Sequence, residues 1–195
     1  MVTLLIAVMG NVGMWAIIVV MPEVQTEFEA GRADVSLAYT LTMIGFALGN
    51  FYVGRAVDRF GITTSLIACA LTLTVAYGLA ASSPSLLVLT GLQFIIGFAT
   101  ACSFGPLIAD ISQWFLKRRG IAVAIAASGN YLSGAIWPLL LGTLAGDASW
   151  RWSYTALAVL TLIIIPPLAM MLRTRVPVEA IETADTQSAN RTRAT

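Results

Sequence analysis

The stretch that decides the fold is GRAVDRFG, Gly54 to Gly61. It places three charges and two glycines in a chain of 195 residues that is 58% hydrophobic and only 11% charged. A soluble domain carries about a quarter charged residues, so this composition predicts a membrane protein. The uncharged runs 35–54 and 60–109 meet at this stretch. We therefore expect it to form a short aqueous turn between two membrane-spanning helices.

The charges divide the chain into segments that suit a bilayer, since a helix needs roughly 20 apolar residues to cross one. The run 60–109 is too long for one span, and the sequence SSPS at Ser82–Ser85 divides it. We predict an all-α membrane protein with six transmembrane helices in residues 1–173. The polar segment 174–195 cannot bury a core and is predicted to be a cytoplasmic tail or linker. The predicted spans are 2–22, 35–54, 62–81, 86–109, 120–145 and 152–172.

Orientation is predicted from lysine and arginine. Six spans put both termini on one side, which then holds nine Lys and Arg residues, whereas the other side holds only Arg32 and Arg151. The positive-inside rule places both termini in the cytoplasm, for a multi-pass protein of the cell (inner) membrane. Trp150 and Trp152 flank Arg151, where an interfacial aromatic belt is expected.

Several classes of function are disfavoured by composition. The chain has no histidine, which removes Ser-His-Asp hydrolysis and histidine-ligated metals, and no cofactor or metal site is predicted. A net charge of +1 argues against a nucleic-acid partner. No acidic or basic residue lies deep in a predicted span, which disfavours an intramembrane enzyme and leaves an ionic substrate without a charged anchor in this chain. The expected partners are the lipid bilayer and a small-molecule solute.

Small residues recur every four positions in three of the spans, where they let helices approach closely in lipid. These stripes predict either simple packing of the bundle or helices that slide or rock against their neighbours. The predicted packing residues are Gly45, Gly49, Gly97, Gly105, Gly129, Gly134 and Pro138.

Polar and aromatic residues also share faces of the first, fourth and fifth spans at steps of three and four residues. A polar face on a spanning helix is expected to look at protein or water rather than lipid. Two interpretations stay open: interhelical hydrogen bonding, or an uncharged polar cavity. The predicted substrate path consists of Asn11, Trp15, Gln93, Thr100, Ser103, Asn130 and Trp137.

The opening stretch resembles the signature G-x-x-x-D-R-x-G of the major facilitator superfamily. The resemblance implies a carrier in which the aspartate latches two halves on the cytoplasmic side and releases them during alternating access. Where the superfamily usually has two basic residues after the last glycine, this chain has Ile62 and Thr63. The implied gating residues are Gly54, Asp58, Arg59 and Gly61.

Residues 114–140 resemble the loop and fifth helix of the monocarboxylate and oxalate–formate branch, with WF, a basic cluster, and glycines spaced before a proline. Two interpretations of the basic residues in this loop stay open. They set the topology only, or they also contact Asp110 or lipid phosphates. Gln93 stands where that superfamily usually has an arginine. The loop charges are Asp110, Lys117, Arg118 and Arg119.

Such carriers normally have twelve helices, with the substrate between two six-helix halves. This chain is therefore expected to be an N-terminal half, and a truncated or split gene product is preferred over a half that pairs with a separate C-terminal half or a homodimer. The expected function is transport of a small organic anion such as a monocarboxylate. The alternatives are a non-transporting six-helix membrane assembly, a receptor-like module, or an inactive fragment.

Overall fold

A computed structural model describes residues 2–114, 119–147 and 149–172 of the chain. Within these residues six helical segments are long and apolar enough to cross a membrane, which confirms the predicted all-α fold of six spans. The predicted tail, 174–195, lies outside the described residues. The helices are α1 (Val2–Gly10) and α2 (Val12–Glu27) in the first span, α3 (Arg32–Phe60) in the second, α4 (Ile62–Ala81) in the third, α5 (Leu86–Thr100) and α6 (Gly105–Trp114) in the fourth, α7 (Arg119–Asp147) in the fifth and α8 (Trp150–Met171) in the sixth.

Helix ends are set by local caps as well as by hydropathy. The second span begins at a turn in which the Gly31 N–H donates to the Asp34 carboxylate at 3.1 Å, before the apolar run starts. The Ser85 hydroxyl accepts from the Val88 N–H at the start of the fourth span. The cap at Gly31 and Asp34 accounts for the start of α3 at Arg32, before the uncharged run from which its span was predicted.

The second and fourth spans pack backbone against backbone. A methyl group added to Gly45 would overlap the Phe94 carbonyl, and one added to Gly97 would overlap the Thr42 carbonyl. Gly49 meets the Phe98 carbonyl in the same way. The predicted small-residue stripes of these two spans therefore lie against each other, as close packing in lipid requires.

The fifth span packs on the first through its own small residues. Gly129 lies against Ala7, and Gly134 lies against the indole ring of Trp15. Pro138 lies inside α7, one turn after Gly134. Because proline has no N–H, the Gly134 carbonyl receives no helix hydrogen bond from it.

Two apolar clusters fill the bundle, one towards each end. The first lies towards the loops that join α2 to α3, α4 to α5 and α7 to α8, and we call this the Arg151 end. The second lies towards Val2, the turn between α3 and α4, and Leu172, and we call this the Asp58 end. Between them the fully buried Asn11 and Thr100 form a polar level. The Arg151 cluster includes Val20, Val35, Ala80, Leu89 and Trp150, and the Asp58 cluster includes Ile6, Val53, Leu66, Leu107 and Ala169.

Candidate functional site

The signature stretch lies mostly on a helix rather than in a loop. Helix α3 continues to Phe60, so Gly54 and Asp58 occupy its last turns, and the turn itself is made at Gly61. Gly61 has φ of 84°, a left-handed conformation that glycine adopts without strain. A methyl group added to Gly54 would meet nothing within 4 Å. Gly54 therefore makes no close helix contact among the described residues.

The charges of this stretch face away from the bundle. Asp58 and Arg59 are exposed, and Asp58 has no ion-pair partner among the residues that the structure describes. The guanidinium group of Arg55 lies 4.2 Å from the centre of the Phe51 ring, and that of Arg59 lies 5.3 Å from the centre of the Phe60 ring. The carboxylate at position 58 is thus available to a group outside these residues.

The loop between the fourth and fifth spans is described only at its edges. The Arg119 guanidinium donates to the Ser112 hydroxyl at 3.2 Å and so joins α7 to α6. Asp110 is partly buried on α6 and is engaged by a neighbouring group. Lys117 and Arg118 lie outside the described residues.

Most of the predicted substrate path is buried inside this six-helix bundle. Gln93 is fully buried: its amide oxygen accepts from the Thr42 hydroxyl at 3.2 Å, and its amide nitrogen donates to the Tyr154 hydroxyl. It therefore joins the fourth span to the second and the sixth. This arrangement favours interhelical hydrogen bonding over a cavity for Gln93. Thr42 and Tyr154 were missed, since sequence spacing identifies faces of one helix and not partners on another.

Four more predicted path residues have the same buried character. Asn11, Thr100, Ser103 and Trp137 are at most 5% exposed. The Trp137 indole N–H donates to the Val8 carbonyl at 2.9 Å and ties the fifth span to the first. The structure brings these side chains into the bundle's interior rather than onto a surface that a second half could cover.

Trp15 and Asn130 differ from the other five path residues. Both residues are partly exposed, although the Trp15 indole nitrogen and the Asn130 amide oxygen are themselves buried. Neither atom has a hydrogen-bond partner among the described residues, which is also true of the Asn11 amide oxygen and the Thr100 hydroxyl. Asn130 precedes Gly134 by one helical turn, and Gly134 packs on the Trp15 ring. Among the described residues, the seam between the first and fifth spans therefore carries one unpaired donor and one unpaired acceptor. Neither residue adds a charge.

The Arg151 end of the bundle holds a hydrogen-bonded cluster around Arg151 that was not predicted from the sequence. The Arg151 guanidinium donates to the Glu27 carboxylate at 2.6 and 3.1 Å. It also donates to the Ala81 carbonyl at 2.7 Å and to the Ser83 carbonyl at 3.0 Å. One side chain of the sixth span therefore holds the end of the first and the end of the third.

Trp150 belongs to this cluster and not to an aromatic belt. It is 1% exposed, its indole N–H donates to Glu27, and Arg151 lies 4.7 Å from the centre of its ring. Trp152 is 64% exposed, as a residue facing the bilayer interface would be. The prediction that Trp150 lies in an interfacial aromatic belt is wrong, because Glu27 of the first span binds its indole N–H inside the bundle. The adjacent tryptophan and arginine were visible in the sequence, but their acid lies 123 residues away from Trp150.

Comparison with known proteins agrees with this architecture. The family model of the Major Facilitator Superfamily matches residues 3–195. The chain is 31% identical over 163 residues to the MFS-type transporter pynF of Aspergillus niger, which covers 81% of this chain and 37% of that protein. It is 33% identical over 123 residues to the Fujikurins efflux protein of Gibberella fujikuroi, which covers 60% of this chain and 25% of that protein.

A bacterial relative is also similar. The Hexuronate transporter of Bacillus subtilis is 26% identical over 153 residues, which covers 76% of this chain and 35% of that protein. The chain thus spans about a third of the length of these curated relatives. They are membrane transporters and not enzymes. With six apolar helices and a family match over nearly its whole length, this chain belongs to the Major Facilitator Superfamily.

Proposed function

We propose that the chain is the N-terminal half of a secondary carrier that moves a small organic anion, such as a monocarboxylate, by alternating access. The observation that carries the proposal is the seam at Trp15 and Asn130. Among the described residues it holds a donor and an acceptor that are buried and unpaired, beside a partly exposed aromatic ring. The apolar middle of the bundle carries no charge.

The uncharged seam suits an anion whose carboxylate is held elsewhere. The branch that residues 114–140 resemble often has a basic residue in its second half, and this chain provides none in the apolar middle of its spans. The Bacillus subtilis relative is a hexuronate transporter, and hexuronate is an organic acid. In this proposal Trp15 and Asn130 contact the body of the solute, and the second half binds its charge.

The gating residues are proposed to act between the two halves on the cytoplasmic side. Asp58 and Arg59 are exposed at one end of the bundle, and Gly54 leaves an open surface beside them. A second half can approach this surface closely. Its basic groups can pair with Asp58 when that side is closed and separate when it opens.

A second candidate function is efflux of a neutral, amphipathic small molecule. It is favoured by the 33% identity to a protein named as an efflux protein for fujikurins and by the uncharged seam. An indole ring and an amide can bind such a compound without any basic residue from the second half.

Uptake by proteoliposomes tests the first proposal. The chain is reconstituted alone and with a C-terminal six-helix half, and uptake of labelled lactate is measured. We expect uptake only with the second half, reduced about tenfold or more by Trp15→Ala or Asn130→Leu, whereas Thr72→Leu on an exposed face of the third span leaves it unchanged. Lactate-independent flux of a neutral amphipathic compound supports the second candidate. Absence of any flux with the second half favours a non-transporting assembly.

A further inference from the structure

The fourth span is interrupted in the middle of the bundle. Helix α5 ends at Thr100, and α6 begins only at Gly105. Pro106 has no N–H, so the carbonyl four residues earlier receives no helix hydrogen bond. The Phe104 N–H instead donates to the Ala101 carbonyl at 3.1 Å, a step of three residues. Backbone groups freed in this way must find partners elsewhere, because lipid offers none.

Two asparagines from two other spans supply partners for the Gly105 N–H and the Ser103 carbonyl. The Asn50 amide oxygen, on the second span, accepts from the Gly105 N–H at 3.2 Å. The Asn11 amide nitrogen, on the first span, donates to the Ser103 carbonyl at 3.3 Å as well as to the Ala7 carbonyl of its own span at 2.7 Å. One residue provides the acceptor and the other the donor, on the two sides of Phe104. Side chains thus take the place of hydrogen bonds that the helix itself has lost.

Asn11 also marks an interruption of its own span. Helix α1 ends at Gly10 and α2 begins at Val12, and the Met14 N–H donates to the Asn11 carbonyl at 3.2 Å, again a step of three residues. A methyl group added to Gly10 would overlap the Ser103 side chain. The two interruptions therefore face each other, at the polar level between the two apolar clusters.

We propose that the interruption of the fourth span is a hinge and that Asn11 and Asn50 are positioning residues that hold it. The proposal rests on the transport function proposed above. When α6 tilts against α5, the hydrogen bonds that change are those between the asparagine side chains and the backbone. No regular helical turn has to break. Since α6 leads to the Asp58 end, the two asparagines set how freely that end moves relative to the Arg151 end.

Amide exchange in the chain itself tests the hinge without any transport assay. Glycine-labelled protein in micelles gives the hydrogen–deuterium exchange rate of the Gly105 amide by NMR. We expect Asn50→Leu, which removes the acceptor, to speed this exchange about five- to tenfold. Asn50→Asp keeps an acceptor oxygen and should leave the rate within about twofold of the parent. Gly97, in the regular part of α5, is the reference amide and should not change.

Asn11 provides the crossed control. Its role is that of a donor, so both Asn11→Leu and Asn11→Asp should speed exchange at Gly105 several-fold, although neither side chain touches Gly105. Circular dichroism confirms that each variant keeps its helices. An unchanged Gly105 rate in Asn50→Leu, or in both Asn11 variants, overturns the shared hinge.

Transport by the complete carrier then tests what the hinge does. Asn50→Leu should change the maximal rate at least threefold with KM within twofold, and Asn50→Asp should restore the parent rate. If Asn50→Leu speeds Gly105 amide exchange but leaves the maximal transport rate unchanged, the proposed role of the hinge in transport is overturned. If the carrier moves no solute, the proposed function fails while the exchange result still decides whether the asparagines hold the interruption.

Discussion

The two ends of the bundle treat their charges in opposite ways. At the Arg151 end, the guanidinium of the sixth span binds Glu27 and the carbonyls of Ala81 and Ser83, all within this chain. At the Asp58 end, the Asp58 carboxylate has no ion-pair partner in the described part of the chain, and Arg55 lies over an aromatic ring of its own helix. The Arg151 guanidinium is thus bound within this chain, whereas the Asp58 carboxylate faces outwards.

The two ends thus hold charges with different roles: those at one end stabilise the fold of this half, and those at the other can interact with a second half. A guanidinium with four hydrogen bonds to three acceptor atoms loses them all if the bundle opens at that end, so it stabilises the packing of three spans. An exposed carboxylate without a partner contributes little to this bundle. Substitutions at the two ends should therefore have effects of different kinds, on stability at one end and on transport at the other.

The largest effect on stability is expected from Arg151→Met. Methionine keeps much of the side-chain volume but donates no hydrogen bond. The two backbone carbonyls therefore lose this donor, and Glu27 keeps only the Trp150 N–H. We expect a loss of about 2 kcal/mol, because hydrogen bonds to charged groups contribute about 1.5–3 kcal/mol and partial exposure weakens them. Thermal unfolding in micelles, followed by circular dichroism, measures it. Arg32→Met is the matched control at the same end and should unfold as the parent does.

A smaller effect is expected from Glu27→Gln, which removes the ion pair but keeps an acceptor oxygen. The two side chains are 31% and 37% exposed, and ion pairs of this exposure contribute about 0–1 kcal/mol. The same unfolding experiment should therefore give a loss below about 1 kcal/mol. A loss as large as that of Arg151→Met would mean that the charge pair, rather than the two carbonyl contacts, holds this end.

The smallest effect on stability is expected from Asp58→Asn. The substitution removes a charge that has no described partner, so the unfolding temperature of the chain alone should not change. A clear fall in that temperature would show that Asp58 supports the fold of this half, and the contrast between the ends would disappear.

The number of spans could be predicted from the sequence because charged residues are costly to bury in lipid. They are therefore confined to the segments between the spans. The interruptions of the first and fourth spans were not predicted. Gly105 and Pro106 were the available signal in the fourth span, since proline removes a helix donor. In the first span Asn11 gives a weaker signal, because its partner is a carbonyl 92 residues away.

The candidate site was predicted less well than the fold, for a related reason. Helical spacing placed Gln93, Thr100 and Ser103 on one polar face of the fourth span, but it could not distinguish a face towards water from one towards other helices. The structure shows neighbours such as Tyr154 at these positions. Trp15 and Asn130 stay as predictions of a solute contact.

Flux through the carrier formed by this chain and a C-terminal half is the measurement that tests the contrast most directly. Asp58→Asn is compared with Arg32→Met, another exposed charge, at equal amounts of protein in the membrane. We predict that Asp58→Asn lowers flux at least about tenfold while expression and thermal stability stay at the parent level. Flux at the parent level in Asp58→Asn would contradict a gating role for the exposed end.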